Sequence, residues 1–204
     1  AGASVAALHA RRPDDLATCD GDIYRQMNDL IRAECDIVLN NSTGGGTDGD
    51  MVLDATAPFS EVVWEERLKG LEGGADICTA DTMTFTVTTA DGREVLMNTP
   101  PSRCRELLTR MRAAGIKPEW EAFCHHHLLQ DSLRLIQDGF DKPPHVFNLV
   151  FGLDRAFQGA LPYRPDFLQQ MVALLPENAV FGDSCIGAEQ TNALSHAIGL
   201  GGHI

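Results

Sequence analysis

The chain has 204 residues, of which 44% are hydrophobic, and its 29 acidic residues outnumber 16 basic ones to give a formal net charge of −13. This length suffices for one domain with a sizeable core, and the acidic balance argues against nucleic acid as a partner. No apolar run is long enough to predict a membrane span, nothing at the start resembles a signal peptide, and the six cysteines form no C-x-x-C pair, which is typical of reduced thiols in a cytoplasmic protein.

Short apolar runs alternate with segments of helical periodicity along the chain. The predicted strands are residues 4–9, 37–39, 75–79, 120–123, 146–151 and 179–181, and residues 203–204 begin another. The predicted helices are residues 22–33, 58–71, 101–114, 127–138, 165–175 and 189–200. A small ribbon of residues 84–87 and 94–97 is inserted after the third strand, joined by Ala90-Asp91-Gly92.

This alternation predicts an α/β fold with a parallel sheet. Six strand–helix units are visible, whereas a (β/α)8 TIM barrel has eight units and about 250 residues. We therefore predict a single TIM-barrel domain over residues 1–204 that lacks the first strand–helix unit and the last unit. An open doubly wound sheet is the alternative, but no G-x-G-x-x-G motif follows a strand.

Polar residues follow the predicted strands, at the end of a barrel where ligands bind. They are His9, Arg11, Asn41, Ser42, Thr43, Thr79, Asp81, Glu119, Glu121, Cys124, His125, Asn148, Asp183 and Ser184. The glycines at 44–46 allow a turn whose N–H groups suit an anion, although such a run also punctuates ordinary strand ends.

Two of the histidine and carboxylate patterns have two interpretations each. Glu119 and Glu121 share one strand face and suit a catalytic base, or they form one ion pair and one solvated carboxylate. His9 suits a metal ligand or a hydrogen-bonded structural residue. The histidines at 125–127 are consecutive, so they cannot all point toward one metal.

Five segments resemble, in chain order, motifs of the β-keto acid cleavage enzyme family. They are residues 1–11 ("GA-x-x-x-H-x-H-x-R"), 41–46 ("STGG"), 115–123 ("G-I-K-P-E-x-E-x-F"), 143–152 ("P-x-x-F-N-F-V-x-G") and 201–204 ("GGH", which precedes "R-x-G-L-E-D-N"). Members of that family are zinc-dependent barrels, often homotetramers. They convert a β-keto acid and acetyl-CoA into acetoacetate and a new acyl-CoA.

The resemblance implies a set of site residues. Catalytic roles fall to Glu121 (or Glu119), Ser42 and Arg11, and substrate binding to Ser42, Thr43, Gly44, Gly45 and Asn148. The family's zinc is held by both histidines of "H-x-H" and by the Glu of "L-E-D-N". In this chain Ala7 stands at the position of the first histidine, and His9 stands at the position of the second. The Glu of the family motif falls after the position of Ile204. We therefore expect this chain to bind zinc weakly or not at all.

Two other functions remain open from the sequence. One is a non-catalytic or metal-free relative that binds a small carboxylate or an acyl-CoA at the glycine turn. The other is a different barrel enzyme, such as an isomerase or aldolase, that uses Glu121 as a base without a metal. The resemblance further implies a homo-oligomer, with small-molecule partners and neither nucleic acid nor a membrane.

Overall fold

The computed structural model describes residues 2–204 and contains nine strands and six α-helices. The strands are β1 (Val5–Leu8), β2 (Val38–Asn41), β3 (Phe59–Glu61), β4 (Ile77–Ala80), β5 (Phe85–Thr88), β6 (Glu94–Met97), β7 (Lys117–Ala122), β8 (His145–Phe151) and β9 (Ala179–Cys185). The helices are α1 (Gly21–Glu34), α2 (Trp64–Lys69), α3 (Pro101–Ala113), α4 (Leu133–Gln137), α5 (Pro165–Leu174) and α6 (Gln190–Gly199). Ala1, which opens the first family-like segment, lies outside the described residues.

Six parallel strands form one curled sheet, a half-barrel, in the order β1-β2-β4-β7-β8-β9. A helix follows each of these strands before the next one begins. His203 adds a parallel bridge to Gly182 of β9, as the predicted start of a further strand requires. The predicted alternation and the parallel sheet are therefore confirmed, while closure into an eight-stranded barrel stays a prediction.

The two faces of the sheet differ in chemistry because successive side chains point to opposite faces. On β7, Pro118, Trp120 and Ala122 are buried, whereas the residues between them are only half-buried. Trp120 belongs to the main apolar core with residues of α3, α5 and α6. Its indole N–H donates to Asp141 Oδ2 at 3.0 Å, so the one polar group of this buried ring is paired. The helix-facing side thus supplies the core, and the concave side is left for a site.

A second, three-stranded sheet is inserted beside the half-barrel, in the order β3-β6-β5. The predicted ribbon of β5 and β6 is confirmed as an antiparallel pair. The prediction of a helix over residues 58–71 is wrong for the first half of that segment, where β3 pairs in parallel with β6. Only α2 and a 3-10 segment at Gly70–Gly73 are helical. Pairing with a distant strand overrides the local helical periodicity here.

The helix predicted over residues 127–138 forms, but its first part is π-helical over His127–Ser132 before α4 begins. None of the six cysteines forms a disulfide within the described part of the chain. Burial raises the pKa of the Cys19, Cys78 and Cys104 thiols to about 12, so they are unreactive near neutral pH. Across residues 2–204, no helix combines the length and the apolar character needed to cross a membrane.

Candidate active site

A cavity of about 700 Å³ lies against the concave face of the half-barrel. Its polar wall is built at and beyond the carboxyl ends of the parallel strands, where ligand sites of such folds lie. The residues there are His9, Arg11, Ser42, Gly44, Gly45, Thr79, Asp81, Glu121, Asn148 and Ser184. The apolar wall includes Phe85, Val87 and Met97 of the inserted sheet. The structure thus brings most of the predicted site residues to one cavity.

Ser42 directly follows β2 and is buried, with 3% exposure. Its Oγ accepts from the N–H of Gly44 at 3.1 Å and from that of Gly45 at 3.2 Å. Both lone pairs of the oxygen are therefore engaged, which leaves the hydroxyl hydrogen as the group that can be donated to a ligand. Gly45 has φ +56°, and a Cβ there would lie 2.7 Å from Met51 Cε, so this turn requires glycine.

Thr43 was predicted to bind substrate, but the structure places its side chain elsewhere. Its hydroxyl donates to the carbonyl of Thr79 at 2.9 Å, and its N–H donates to Thr79 Oγ1 at 2.8 Å. Thr43 is fully buried and does not line the cavity. The alternation of the strand carries Ser42 inward and Thr43 outward, so Thr43 fastens β2 to β4 rather than contacting a ligand.

Glu121 projects from β7 into the cavity beside Asp81. Asn148 Nδ2 donates to Glu121 Oε1 at 3.3 Å, and the Asn148 amide oxygen accepts from the Ser184 hydroxyl at 3.0 Å. Burial raises the pKa of Glu121 well above its usual range, and the neighbouring Asp81 and Glu119 carboxyls raise it further, while Asn148 opposes the shift. A carboxyl whose pKa is raised binds a proton more strongly than an ordinary carboxyl, which suits acid–base catalysis.

Glu119, the alternative candidate, points into the same face of β7 but is already paired. Its Oε2 accepts from Asn40 Nδ2 at 2.7 Å. Burial raises the pKa of Glu119, the Asn40 hydrogen bond lowers it, and the charge of Asp81 raises it again. Glu119 thus has its partner on β2 and lies two residues nearer the amino end of β7 than Glu121 does.

Arg67 of α2 lies directly behind the cavity wall, and the sequence analysis did not single it out. It is 1% exposed, and its Nη2 lies 3.6 Å from Asp81 Oδ2. Its Nε donates to the carbonyl of Thr43 at 3.0 Å, so it also supports the glycine turn. The only signal in the sequence was a single arginine among the apolar positions of a predicted helix, and that pattern does not distinguish a buried ion pair from a solvated charge.

His9 and Arg11 follow β1 on the rim of the cavity, and both are exposed. Arg11 Nη1 lies 3.9 Å from Asp48 Oδ1, and both side chains are more than a third exposed, so the pair constrains the guanidinium weakly. The histidines at 125–127 diverge: His126 is exposed, His125 packs against Phe167, and His127 is buried beside Phe85 and Phe123. None of the three lines the cavity.

The whole of this sequence, residues 1–204, matches the β-keto acid cleavage enzyme family. The chain belongs to that family. The resemblance seen in the motifs is therefore confirmed, and family membership makes the chain a relative of enzymes rather than of binding proteins alone.

Two curated relatives align with the chain over all of its residues. One is the 3-dehydrocarnitine:acetyl-CoA trimethylamine transferase of Rhizobium meliloti, at 32% identity over 223 residues, which are 68% of that protein. The other is the 3-keto-5-aminohexanoate cleavage enzyme of Fusobacterium nucleatum, at 27% identity, with 66% of its length covered. The chain thus spans about two thirds of these relatives.

Solved structures support the fold of this family member. The apo structure of ObcA and its binary complex with oxaloacetate align over 99% of the chain with TM-scores of 0.68 and 0.67 and 16% identity. The alignments cover 50% and 52% of the ObcA chains. At this identity they show that the half-barrel shares the ObcA fold.

The described residues do not fit the zinc site that the resemblance implies. His9 and Ala7 line the cavity from the same face of β1, so one imidazole stands where the family has two. Between residues 2 and 204, no group of three or more His, Cys, Asp and Glu side chains is placed to hold a metal ion. Catalytic zinc takes three protein ligands. We therefore derive no chemical step through a metal.

Proposed function

We propose that this chain forms the keto-acid site of an enzyme that cleaves a β-keto acid at the expense of acetyl-CoA, giving acetoacetate and a new acyl-CoA. One observation carries the proposal: a hydroxyl donor on a glycine turn and a carboxyl with a raised pKa open onto the same cavity. These are Ser42 with Gly44 and Gly45, and Glu121 with Asn148. They match the two needs of the reaction, which are to hold an acyl oxygen and to move a proton.

Ser42 and the rim residue Arg11 bind the anionic end of the keto acid. The Ser42 hydroxyl hydrogen is free for a ligand because its oxygen already accepts from two backbone N–H groups. Arg11 supplies a positive charge in a cavity whose other ionisable residues include Asp81, Glu119 and Glu121. A hydrogen bond between a neutral donor and a carboxylate contributes about 1.5–3 kcal/mol to binding.

Glu121 then acts on the carbon between the carboxylate and the ketone. In its ionised form it takes a proton from that carbon, and the resulting enolate attacks the acetyl carbonyl of acetyl-CoA. The thiolate of CoA leaves, adds to the ketone carbon of the original acid, and the bond between that carbon and its neighbour breaks. The bond breaks toward an enolate of acetoacetate, and Glu121 returns its proton to that carbon, so the products are acetoacetate and the new acyl-CoA and all atoms are accounted for. A raised pKa makes Glu121 a stronger base than an ordinary carboxylate.

The relatives support this class of reaction through their names. The Rhizobium meliloti protein is a transferase for 3-dehydrocarnitine and acetyl-CoA, and a Paraburkholderia graminis relative, at 27% identity over 83% of this chain, is a 3,5-dioxohexanoate:acetyl-CoA acetone transferase. Both names contain a β-keto acid and acetyl-CoA. The side chain of the acid taken by this chain, its assembly as a homotetramer and its cytoplasmic location stay predictions.

The direct test mixes the purified protein with acetyl-CoA and a panel of β-keto acids and measures acetoacetate and new acyl-CoA thioesters by mass spectrometry. We expect both products to appear together, in equal amounts, with at least one acid. Glu121→Gln should abolish them, whereas Glu65→Gln, on the exposed side of α2, should not. Acetoacetate without a matching acyl-CoA would contradict the proposed transfer.

The position of Ala7 favours a second candidate function, a non-catalytic relative that binds a keto acid or an acyl-CoA without converting it. The missing imidazole removes a zinc ligand of the family while the Ser42 turn is kept. Calorimetry distinguishes the two functions. Saturable binding of a keto acid to a protein that yields no acyl-CoA with any acid of the panel would favour this candidate.

A further inference from the structure

An apolar wall borders the cavity beyond the carboxyl ends of the parallel strands. It is formed by β5 and β6 of the inserted sheet, by the residue that follows β7 and by the segment that follows β8. The first four of its six residues are at most 6% exposed, so the packing around them holds their side chains in place. The six are Phe85, Val87, Met97, Phe123, Leu153 and Phe157.

This wall lies directly beyond the proposed catalytic carboxyl. Phe123 follows Glu121 by two residues, Val150 follows Asn148 by two, and all four line the cavity. Two residues of an extended strand span about 7 Å. A keto acid whose reacting carbon lies at Glu121 therefore has the wall within reach of the carbons beyond its ketone.

The elements that form most of the wall present no charge to the cavity. Within the described residues 2–204, β5, β6 and the segment 153–157 contribute no ionisable side chain to its lining, and Asp154 and Arg155 of that segment are exposed. The ionisable lining residues come from the parallel strands, from the residues just after them and from His203, which pairs with β9. A charged group placed against the wall would lose its water without gaining a counter-ion.

The three phenylalanines do not form an aromatic cage for a cation. The ring centroids of Phe85 and Phe157 are 5.0 Å apart with an interplanar angle of 29°, and Phe123 lies 5.6 Å from the first ring and 5.2 Å from the second. A cation binds over an open ring face, and centroids this close leave no room for one between the rings. The wall therefore offers apolar contact only.

The backbone of the wall is already hydrogen-bonded. The N–H of Thr88 donates to the Ala156 carbonyl at 2.7 Å, and the N–H of Gln158 donates to the Thr86 carbonyl at 2.9 Å. The other edge of β5 pairs with β6. Amide groups, such as those in the pantetheine arm of acetyl-CoA, would thus lie against this wall without hydrogen-bond partners, which is costly. A hydrocarbon chain needs none.

We propose that the apolar wall is the subsite for the chain of the keto acid beyond its ketone, and that this chain is an uncharged hydrocarbon. The assignment rests on the proposed function, which places the carboxylate of the acid near Ser42 and its reacting carbon at Glu121. The protein would then select β-keto acids with apolar chains and reject those that carry a charge on the chain.

The test compares 3-oxohexanoate with its 5-amino derivative, which has the same chain length and differs by one ammonium group. Calorimetry measures the affinity of each for the ligand-free protein, and kcat/KM is measured for each at saturating acetyl-CoA. We expect the amino derivative to bind at least about 100-fold more weakly, because its ammonium group loses water without a counter-ion. From 3-oxopentanoate to 3-oxooctanoate, affinity should rise about fourfold per methylene.

Three variants sharpen the comparison. Phe157→Glu places a carboxylate in the wall and should reverse the preference, so that the amino derivative binds more tightly than 3-oxohexanoate. Phe157→Leu keeps the wall apolar and should retain the preference. Phe59→Glu is the matched control, because Phe59 lies on β3 of the same inserted sheet, is 54% exposed and does not line the cavity. It should leave both affinities unchanged, and circular dichroism reports folding for every variant.

A preference for 3-oxohexanoate that Phe157→Glu reverses supports the proposal. Equal or tighter binding of the amino derivative to the unmodified protein overturns it, and so does the absence of binding by 3-oxohexanoate. If Phe157→Glu does not fold, the two ligands are compared in the unmodified protein and in Phe157→Leu, and the same preference in both is required. A Phe157→Glu variant in which only the KM for acetyl-CoA changes would assign the wall to the pantetheine arm and overturn the proposal.

The failure of this proposal and the failure of the proposed function give different results. Selective binding of 3-oxohexanoate without formation of acetoacetate and an acyl-CoA would uphold the apolar subsite and refute the proposed function. Formation of both products from the amino derivative, with none from 3-oxohexanoate, would uphold the proposed function and overturn the subsite.

Discussion

Asn148 and Glu121 are direct partners across adjacent strands, and Asn148 Nδ2 donates to Glu121 Oε1 at 3.3 Å. The register of β7 and β8 places them opposite each other, so the contact is built into the sheet rather than into a loop. The Ser184 hydroxyl on β9 fixes the amide from its other side at 3.0 Å. The orientation of the proposed catalytic carboxyl is therefore determined by three neighbouring strands.

Replacing Asn148 should make Glu121 hold its proton more tightly. The amide N–H stabilises the ionised carboxylate, so Asn148→Ala should raise the pKa of Glu121 by about half to one pH unit. The pH profile of kcat/KM should move to higher pH by the same amount. Ser184→Ala, which contacts only the amide oxygen, should give a smaller shift, and a larger shift in Ser184→Ala than in Asn148→Ala would contradict this assignment.

Ser42→Ala should weaken binding of the keto acid by about 10–100-fold, which corresponds to about 1.5–3 kcal/mol for a hydrogen bond to a carboxylate. The same change removes the acceptor of the Gly44 and Gly45 N–H groups, so we expect a melting temperature lower by about 2–4 °C. Calorimetry and thermal melting measure the two effects. Ser132→Ala, in the buried π-helical segment away from the cavity, is the control for affinity. A large fall in melting temperature with unchanged affinity would assign Ser42 to structure alone.

Ionisation of the buried Asp183 carboxyl should lower the free energy of unfolding as the pH rises. It is 3% exposed, both of its carboxylate oxygens lack a hydrogen-bond partner in the described part of the chain, and burial raises its pKa to about 6. The native-state pKa exceeds that of the unfolded chain, so the stability that the protonated group contributes is present below about pH 4 and is lost as the pH rises through about 6.

Asp183→Asn should therefore raise the free energy of unfolding at pH 7 by about 1–3 kcal/mol and leave it nearly unchanged at pH 3.5. Urea unfolding at both pH values measures the difference. The exposed Asp154→Asn serves as the control and should show no such dependence. Equal effects of Asp183→Asn at the two pH values would show that the pKa of Asp183 is not raised in the native protein.

Ala7→His should increase zinc affinity. Ala7 and His9 lie two positions apart on β1 and both line the cavity, so the variant places two imidazoles on one face. We expect the dissociation constant for zinc to fall by about tenfold or more, the result of about 1.4 kcal/mol of added ligand bonding. Ala6→His, on the opposite face of β1, is the matched control. Tight binding that is equal in all three proteins would show that another set of residues already holds the metal.

The sequence was most informative where structure depends on local pattern. The apolar runs of parallel strands and the helices between them are visible in the residues themselves, and so are the polar residues that end each strand. β3 was missed because its partner β6 lies more than thirty residues away, and pairing at that distance leaves no local signal. The sequence analysis placed both Ser42 and Thr43 in the binding site, but only Ser42 lines the cavity. Adjacent residues of an extended segment point to opposite sides, so Thr43 points away from the cavity.

Arg67 could not be recognised from the sequence for a related reason. Its burial depends on the ion pair with Asp81 at the end of β4, and nothing in the sequence of α2 indicates that this carboxylate lies beside it. The sequence predicts that Glu119 and Glu121 share one strand face, but it does not indicate the burial that raises the pKa of Glu121, nor that Asp81, which follows β4, raises it further. The contacts between charged residues of different helices and strands could therefore be identified only from the structure.

The inserted sheet forms an apolar wall of the cavity, whereas the parallel sheet carries the contact between Asn148 and Glu121. Phe85, Val87 and Met97 form an apolar wall of the cavity, yet they belong to β5 and β6, which hydrogen-bond within their own small sheet and not within the parallel one. Changes of side-chain size in these strands reshape the space around the substrate while the register of β7 and β8 stays fixed. If the proposed function holds, substitutions in β5 and β6 alter which keto acid fits the cavity and leave the contact between Asn148 and Glu121 unchanged.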